Sequence, residues 1–245
     1  MDALTVEYRA ATDVLEERAA RRIAQTWARL NLADVAAVRD AMIEATNVTT
    51  VAYGEASGLL TAEYYDDTRQ IAKPSLRYTA QVDASFNPDA VDSSIRWAVD
   101  PLTRDDPTTA LSLVQVVAAS MLRSIGSQTI QNNVAADPAA VGWNRIARAD
   151  SCDFCVMLSQ RGAVYKRKTA DFAAHDNDRC TARPSWDPTA PEVDARAYTA
   201  SERTTKMRDL DALDGGDRYE RHKTSIRSWT EALKGDLDTF RSELL

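Results

Sequence analysis

Leu4, Tyr8, Ala11, Leu15, Ala19, Ile23, Trp27 and Leu30 recur at steps of three and four residues, the spacing of one helix face. Asn31 and Asp34 break the run and offer caps. Val35, Val38, Met42, Ala45, Ala52, Ala56 and Leu59 then approximate a heptad seam, with Thr49 between Ala45 and Ala52. The two runs predict an antiparallel helical hairpin with a short turn, the seam packing on Leu15, Ile23 and Trp27. Gly54-x-x-x-Gly58 would permit still closer contact, either as plain packing or as a dimer motif. Lys73-Pro74-Ser75 should stop the second helix, because proline disfavours helix in the residue before it. Residues 74–88 read as loop and Pro88 to Val99 as a short helix. A third strong helix runs from Pro107 to Asn133 with an apolar face of Leu111, Val114, Ala118, Met121 and Ile125. Ala135-Ala136-Asp137-Pro138 should end it.

Residues 139–187 differ in character. Trp143 to Arg148 alternates as a strand does, Asp153 to Ser159 reads as one or two helical turns, and Ala163-Val164-Tyr165 and Thr181-Ala182-Arg183 read as further short strands. A proline-rich linker follows, then a polar stretch with Gly215-Gly216. The end is helical again, with Tyr219, Ile226, Trp229, Leu233, Leu237, Phe240 and Leu244 at heptad spacing. Such a helix either packs back on its own domain or docks on a partner through Ile226, Trp229, Leu233, Leu237 and Phe240. The expected fold is therefore predominantly α. It comprises a helical region over 1–138, a small α+β domain over 139–187, and a linker with an amphipathic C-terminal helix over 188–245.

Composition narrows the classes. With 44 % hydrophobic and 27 % charged residues the chain is ordinary globular material, not a disordered tail. A net charge of −7 makes it a poor candidate for coating nucleic acid over its whole surface. No unbroken apolar run suggests a membrane span and no secretory signal is evident, so a cytoplasmic site of synthesis and no membrane partner are expected.

All three cysteines and one of the two histidines fall within a short window: Cys152-x-x-Cys155, nineteen residues, then His175-x4-Cys180. Two thiolates at C-x2-C spacing can hold one metal from a single turn, and a distant His and Cys complete a tetrahedron. Zinc suits that donor set, and four protein ligands leave no open position, so the zinc would be structural. The alternative is three buried cysteines packed as small hydrophobes beside a chance histidine. A thioredoxin-like pair lacks its βαβ setting, and a zinc deaminase would place H-x-E before the C-x2-C. Between residues 143 and 184 Lys and Arg outnumber Asp and Glu by eight to five. Arg161, Lys166, Arg167 and Lys168 cluster there, either as a solvated loop or as a patch for DNA phosphate or an acidic partner. P-loop, GxGxxG, HExxH and G-x-S-x-G motifs are all missing from the sequence.

Trp143 to Arg148, Cys152-x-x-Cys155-x-x-Leu158, Arg161 to Tyr165, His175-x4-Cys180 and Pro184 together resemble the core of the Mu F-like minor head proteins of tailed bacteriophages, in their actinobacteriophage form. Many relatives close this core with His-x-x-Cys-x-Cys, whereas here Ala182 stands where the second cysteine would be. The resemblance implies a non-enzymatic minor capsid or head morphogenesis protein inside the virion near the portal, made in the host cytoplasm. Its implied partners are the portal, other head proteins and packaged DNA, with a homo-oligomer also expected. It would assist assembly, packaging or ejection. The alternative is an enzyme, either a capsid maturation protease or a zinc-associated nuclease.

Overall fold

The computed structural model describes residues 2–148, 151, 155–156, 159, 165–166 and 180–189 of the 245-residue chain. Over these it is mostly helical, with four α-helices and one short sheet. The expected C-terminal helix, with Ile226, Trp229, Leu233, Leu237 and Phe240, lies outside them.

Helix α1 (Ala3–Trp27) begins where the Asp2 carboxylate accepts the Thr5 N–H at 3.0 Å. Helix α2 (Val35–Ala72) begins where Asp34 accepts from the Ala37 N–H at 3.0 Å, so Asp34 does cap the hairpin. At 38 residues α2 is about 57 Å long. It stops where Lys73 turns left-handed (φ 49) ahead of Pro74. Helix α3 (Pro88–Ala98) is capped by Asn87, and α4 (Pro107–Ala136) by Asp106, each followed by a proline at the first helical position. A 3-10 turn, Asp100–Arg104, joins the last two.

The chain divides into two compact units. One comprises Met1–Ile71 with Thr79–Asn133, and the other Ala72–Tyr78 with Val134–Leu245. In the first, α1 and α2 form the expected antiparallel hairpin: Thr5 Oγ1 lies 3.0 Å from the Tyr64 hydroxyl, and the Tyr8 hydroxyl 2.9 Å from Thr61 Oγ1. Helix α4 runs antiparallel to α1, with Gln115 donating to the Ala20 carbonyl and Arg123 to Glu16. The apolar core gathers around the hairpin turn, where Ile23, Trp27, Val38, Met42, Val91, Ile95, Val114 and Ala118 pack together. Burying each of the valine, isoleucine and methionine side chains among them contributes roughly 1.5–3 kcal/mol.

The heptad seam holds as far as Thr49, which is buried as expected, and needs correction beyond it. Ala52 and Leu59 are exposed and Ala56 is half-buried, while the buried face runs through Thr46, Thr49, Thr50, Gly54, Ser57, Gly58, Thr61, Tyr65 and Thr68. The cause is geometric: a straight helix drifts about 20° per heptad from a 3.5-residue repeat, so over four heptads the buried face moves by most of a quadrant. Leu15 is only half-buried, while Thr5, Arg9 and Glu16 share the inner face of α1. The expectation that no segment reaches membrane-spanning character also needs amending. By length and composition alone α4 would qualify, with a mean hydropathy of 1.4 over its most apolar stretch. Here its Ala110, Val114 and Ala118 face lies in the core, and its Arg123 is ion-paired.

The Gly54-x-x-x-Gly58 pair serves packing within this unit. Residues 79–85 form an extended strap antiparallel to α2. Ala80 donates to Asp66, and the Asn133 side-chain amide both accepts from and donates to the Gln81 backbone. Thr129 donates to the Asp83 carbonyl. A Cβ on Gly58 would lie 2.8 Å from Val82 Cγ1 and 3.1 Å from the Asp83 carbonyl oxygen, so only glycine lets the strap lie flat. A Cβ on Gly54 would meet the tip of Ile125 instead.

In the second unit, strands β1 (Gly142–Ile146), β2 (Tyr165–Lys166) and β3 (Thr181–Ser185) form an antiparallel sheet in the order β2-β1-β3. The register pairs Trp143 with Pro184 and with Tyr165. Pro184, which has no N–H to give, sits on an edge strand as it must. Burial alternates along β1, with Trp143, Arg145 and Ala147 inward. Trp186 Nε1 donates to the wholly buried Asp137 at 3.0 Å, which ties the end of β3 to the segment before β1.

Candidate functional site

The sheet brings together the described parts of the motif predicted to carry the site. Trp143 to Ile146, Tyr165 and Pro184 lie in adjacent strands. Cys180 immediately precedes β3, and Cys155 lies on a helical turn. Both are buried and outside any disulfide. Buried thiols in one small unit suit structural metal ligands, which need shielding from water. Cys152 and His175 lie outside the described residues, and among those that are described no group of three or more His, Cys, Asp or Glu side chains converges. Burial of these two cysteines is compatible both with the zinc site and with cysteines packed as small hydrophobes. Of the basic patch, Lys166 falls on β2, whereas Arg161, Arg167 and Lys168 lie outside the described residues.

The helical unit contains a polar interior that the apolar pattern did not reveal. Tyr8 and Tyr64 stack with ring centroids 4.3 Å apart. Their hydroxyls engage Thr61 and Thr5, and Ser57 donates across to the Leu122 carbonyl of α4 at 2.9 Å. Gly126 makes this possible, since a Cβ there would lie 3.0 Å from Thr61 Oγ1 and 3.1 Å from the Tyr8 hydroxyl. Thr12, Thr61 and Thr68 donate to the carbonyl four residues earlier, so these hydroxyls are satisfied at home. Burial pushes the Tyr8 hydroxyl up to about 12, opposed by its hydrogen bond with Thr61, so it is held protonated. Nearby, Arg123 Nη1 meets Glu16 Oε2 at 2.6 Å with both side chains largely buried. One signal was available: Thr46, Thr50, Ser57, Thr61 and Thr68 repeat at steps of four and seven, a helical stripe written in hydroxyls.

The profile of the family described as VG15 protein matches residues 2–202. This chain belongs to the VG15 protein family. The family is phage-associated, and the chain is a phage protein. The VG15 match spans all four helices, the sheet and the whole Cys/His segment, and ends before the apolar seam of Ile226 to Phe240. No curated protein and no solved structure matches the chain.

Proposed function

We propose that this VG15 family member is a Mu F-like minor head protein. It acts without catalysis inside the head, near the portal, and assists assembly, DNA packaging or ejection. What supports the reading is the small sheet: the described parts of the motif, Trp143 to Ile146, Tyr165 and Pro184, lie in one antiparallel sheet, with Trp143, Cys155 and Cys180 buried. Cys152, Cys155, His175 and Cys180 would hold one structural zinc, which supplies cross-linking of two turns and no open coordination position. The basic residues Arg161, Lys166, Arg167 and Lys168 would face packaged DNA or an acidic head protein, and the Ile226 to Phe240 seam would dock on the portal or another head component.

The test is co-expression of the tagged chain with the head proteins of its phage, followed by purification of particles. The portal should copurify, and the chain should sediment with heads. Recovery only in free lysate or tail fractions would refute the assignment. Incubation with capsid precursor and with plasmid DNA, with and without chelator, should leave both intact; cleavage of either would establish the protease or nuclease alternative.

A further inference from the structure

Each helix of the hairpin leaves one stripe outside the helical unit. On α1 the stripe opposite Ala19, Ile23 and Trp27 carries Val14, Arg18, Arg22 and Gln25, and Arg29 continues it in the turn just after the helix, all exposed. On α2 the outward stripe carries Leu59, Glu55, Val51, Val48 and Glu44, again all exposed, with Val51 at 66 %. Read forward along α1 the steps are four, four, three and four. Read backward along α2 they are the same four, four, three and four.

Other exposed arginines of this unit hold carboxylates, Arg21 with Glu17, Arg96 with Asp92 and Arg104 with Asp100, as does the half-buried Arg39 with Asp40. Arg18, Arg22 and Arg29 have no ion pair among the described residues, and neither do Glu44 and Glu55. An antiparallel alignment of the two stripes puts Val14 on Leu59, Arg18 on Glu55, Arg22 on Val51, Gln25 on Val48 and Arg29 on Glu44. Apolar then meets apolar, both glutamates meet guanidinium groups, and the stems of Arg22 and Gln25 cover the two valines. The stripes cannot meet within one molecule, where α1 and α2 already pair through their opposite faces.

We propose that the outward face of α1 on one copy docks antiparallel on the outward face of α2 on a second copy. A nucleic acid would satisfy the arginines but would leave Val48, Val51, Leu59 and the two glutamates unexplained, on a chain of net charge −7. A single helix pair lies at the small end of protein interfaces, so the association is weak in dilute solution and sensitive to salt. This inference stands apart from the head assignment and survives its failure.

The experiment is sedimentation of the full chain at low ionic strength. Wild type should self-associate. Arg18→Glu with Arg29→Glu, and separately Glu44→Arg with Glu55→Arg, should each weaken association at least tenfold with unchanged thermal melts. An equimolar mixture of the two variants should regain it. Should either charge variant fold poorly, Val51→Lys at its open position gives the same loss. A monomeric wild type, variants that associate like wild type, or a mixture no better than its components would each overturn the proposal. Duplex DNA binding abolished by Arg18→Glu with Arg29→Glu, in a monomeric protein, would overturn it in favour of a phosphate-binding face.

Discussion

The two ends of the helical unit share helices α1, α2 and α4, with α3 joining only at the apolar end, and are built on opposite principles. Around the hairpin turn, Ile23, Trp27, Val38, Met42, Ile95 and Val114 exclude water by apolar area alone. Towards the far end, Thr5, Tyr8, Thr61, Tyr64, Ser57 and the Glu16–Arg123 pair fill the interior with groups that must be matched one to one. The apolar end tolerates imprecision, since area is non-directional. The polar end does not, since each unmatched donor or acceptor costs about 1–3 kcal/mol. The difference predicts which substitutions each end will accept.

The largest effect should come from Met42→Asp. A charge without a partner at a fully buried position should cost on the order of 4 kcal/mol or more, enough to unfold the unit in a denaturant titration. A variant melting like wild type would mean that this end is not a core. Next comes Arg123→Met, which removes the guanidinium from a largely buried carboxylate and should cost about 2–3 kcal/mol. Replacing Glu16 and Arg123 together with Met should recover more than half of that loss, because the pair's cost lies mainly in leaving one member behind.

Tyr8 reports on the polar end through pH. Its hydroxyl rises from 10.0 to about 12 in the folded protein, so the unfolded chain releases this proton first. Its stabilising contribution is intact below about pH 10 and is lost as pH rises towards 12, by roughly 2–3 kcal/mol across that window. Tyr8→Phe should lose about 1 kcal/mol at neutral pH and show a shallower alkaline decline than wild type. Gly58→Ala should destabilise by about 1–2 kcal/mol despite the gain in helix propensity, because the new methyl meets strap backbone. Gly54→Ala meets only the mobile tip of Ile125 and should be near neutral. The smallest effect has the opposite sign. The hydroxyl of Thr46 is buried with no hydrogen-bond partner among the described residues, so Thr46→Val should stabilise by about 1 kcal/mol in thermal melts.

The same contrast explains what the sequence could reveal. Helix limits were legible to within a few residues, because Asp34, Lys73-Pro74, Pro88 and Pro107 punctuate the backbone locally. The apolar core was legible where Val38 and Met42 meet Ile23 and Trp27. The strands around Trp143 and Thr181 were legible from alternation, although the inward set includes Arg145 rather than Ile146. The hydroxyl stripe was passed over, because a hydrophobicity count treats threonine as surface and extends the alanine seam to Ala52 and Leu59. The strap was read as plain loop, since its order comes from residues some fifty positions away: Asn133 for Gln81, and Thr129 for Asp83. Of the proposed metal site, spacing named four ligands; Cys155 and Cys180 are buried, as either metal ligands or packed thiols would be.

The strap also orders events in time. Its anchors are side chains of α2 and α4, so it has nothing to bind until those two helices lie side by side, and it must settle after them. Conversely, it can detach without breaking any helical hydrogen bond. Detachment would bare Gly58 and the Asn133 amide while the hairpin stays intact. Residues 79–85 thus become native only after α2 and α4 have paired and can leave before those helices part, a local opening with a free energy below that of global unfolding.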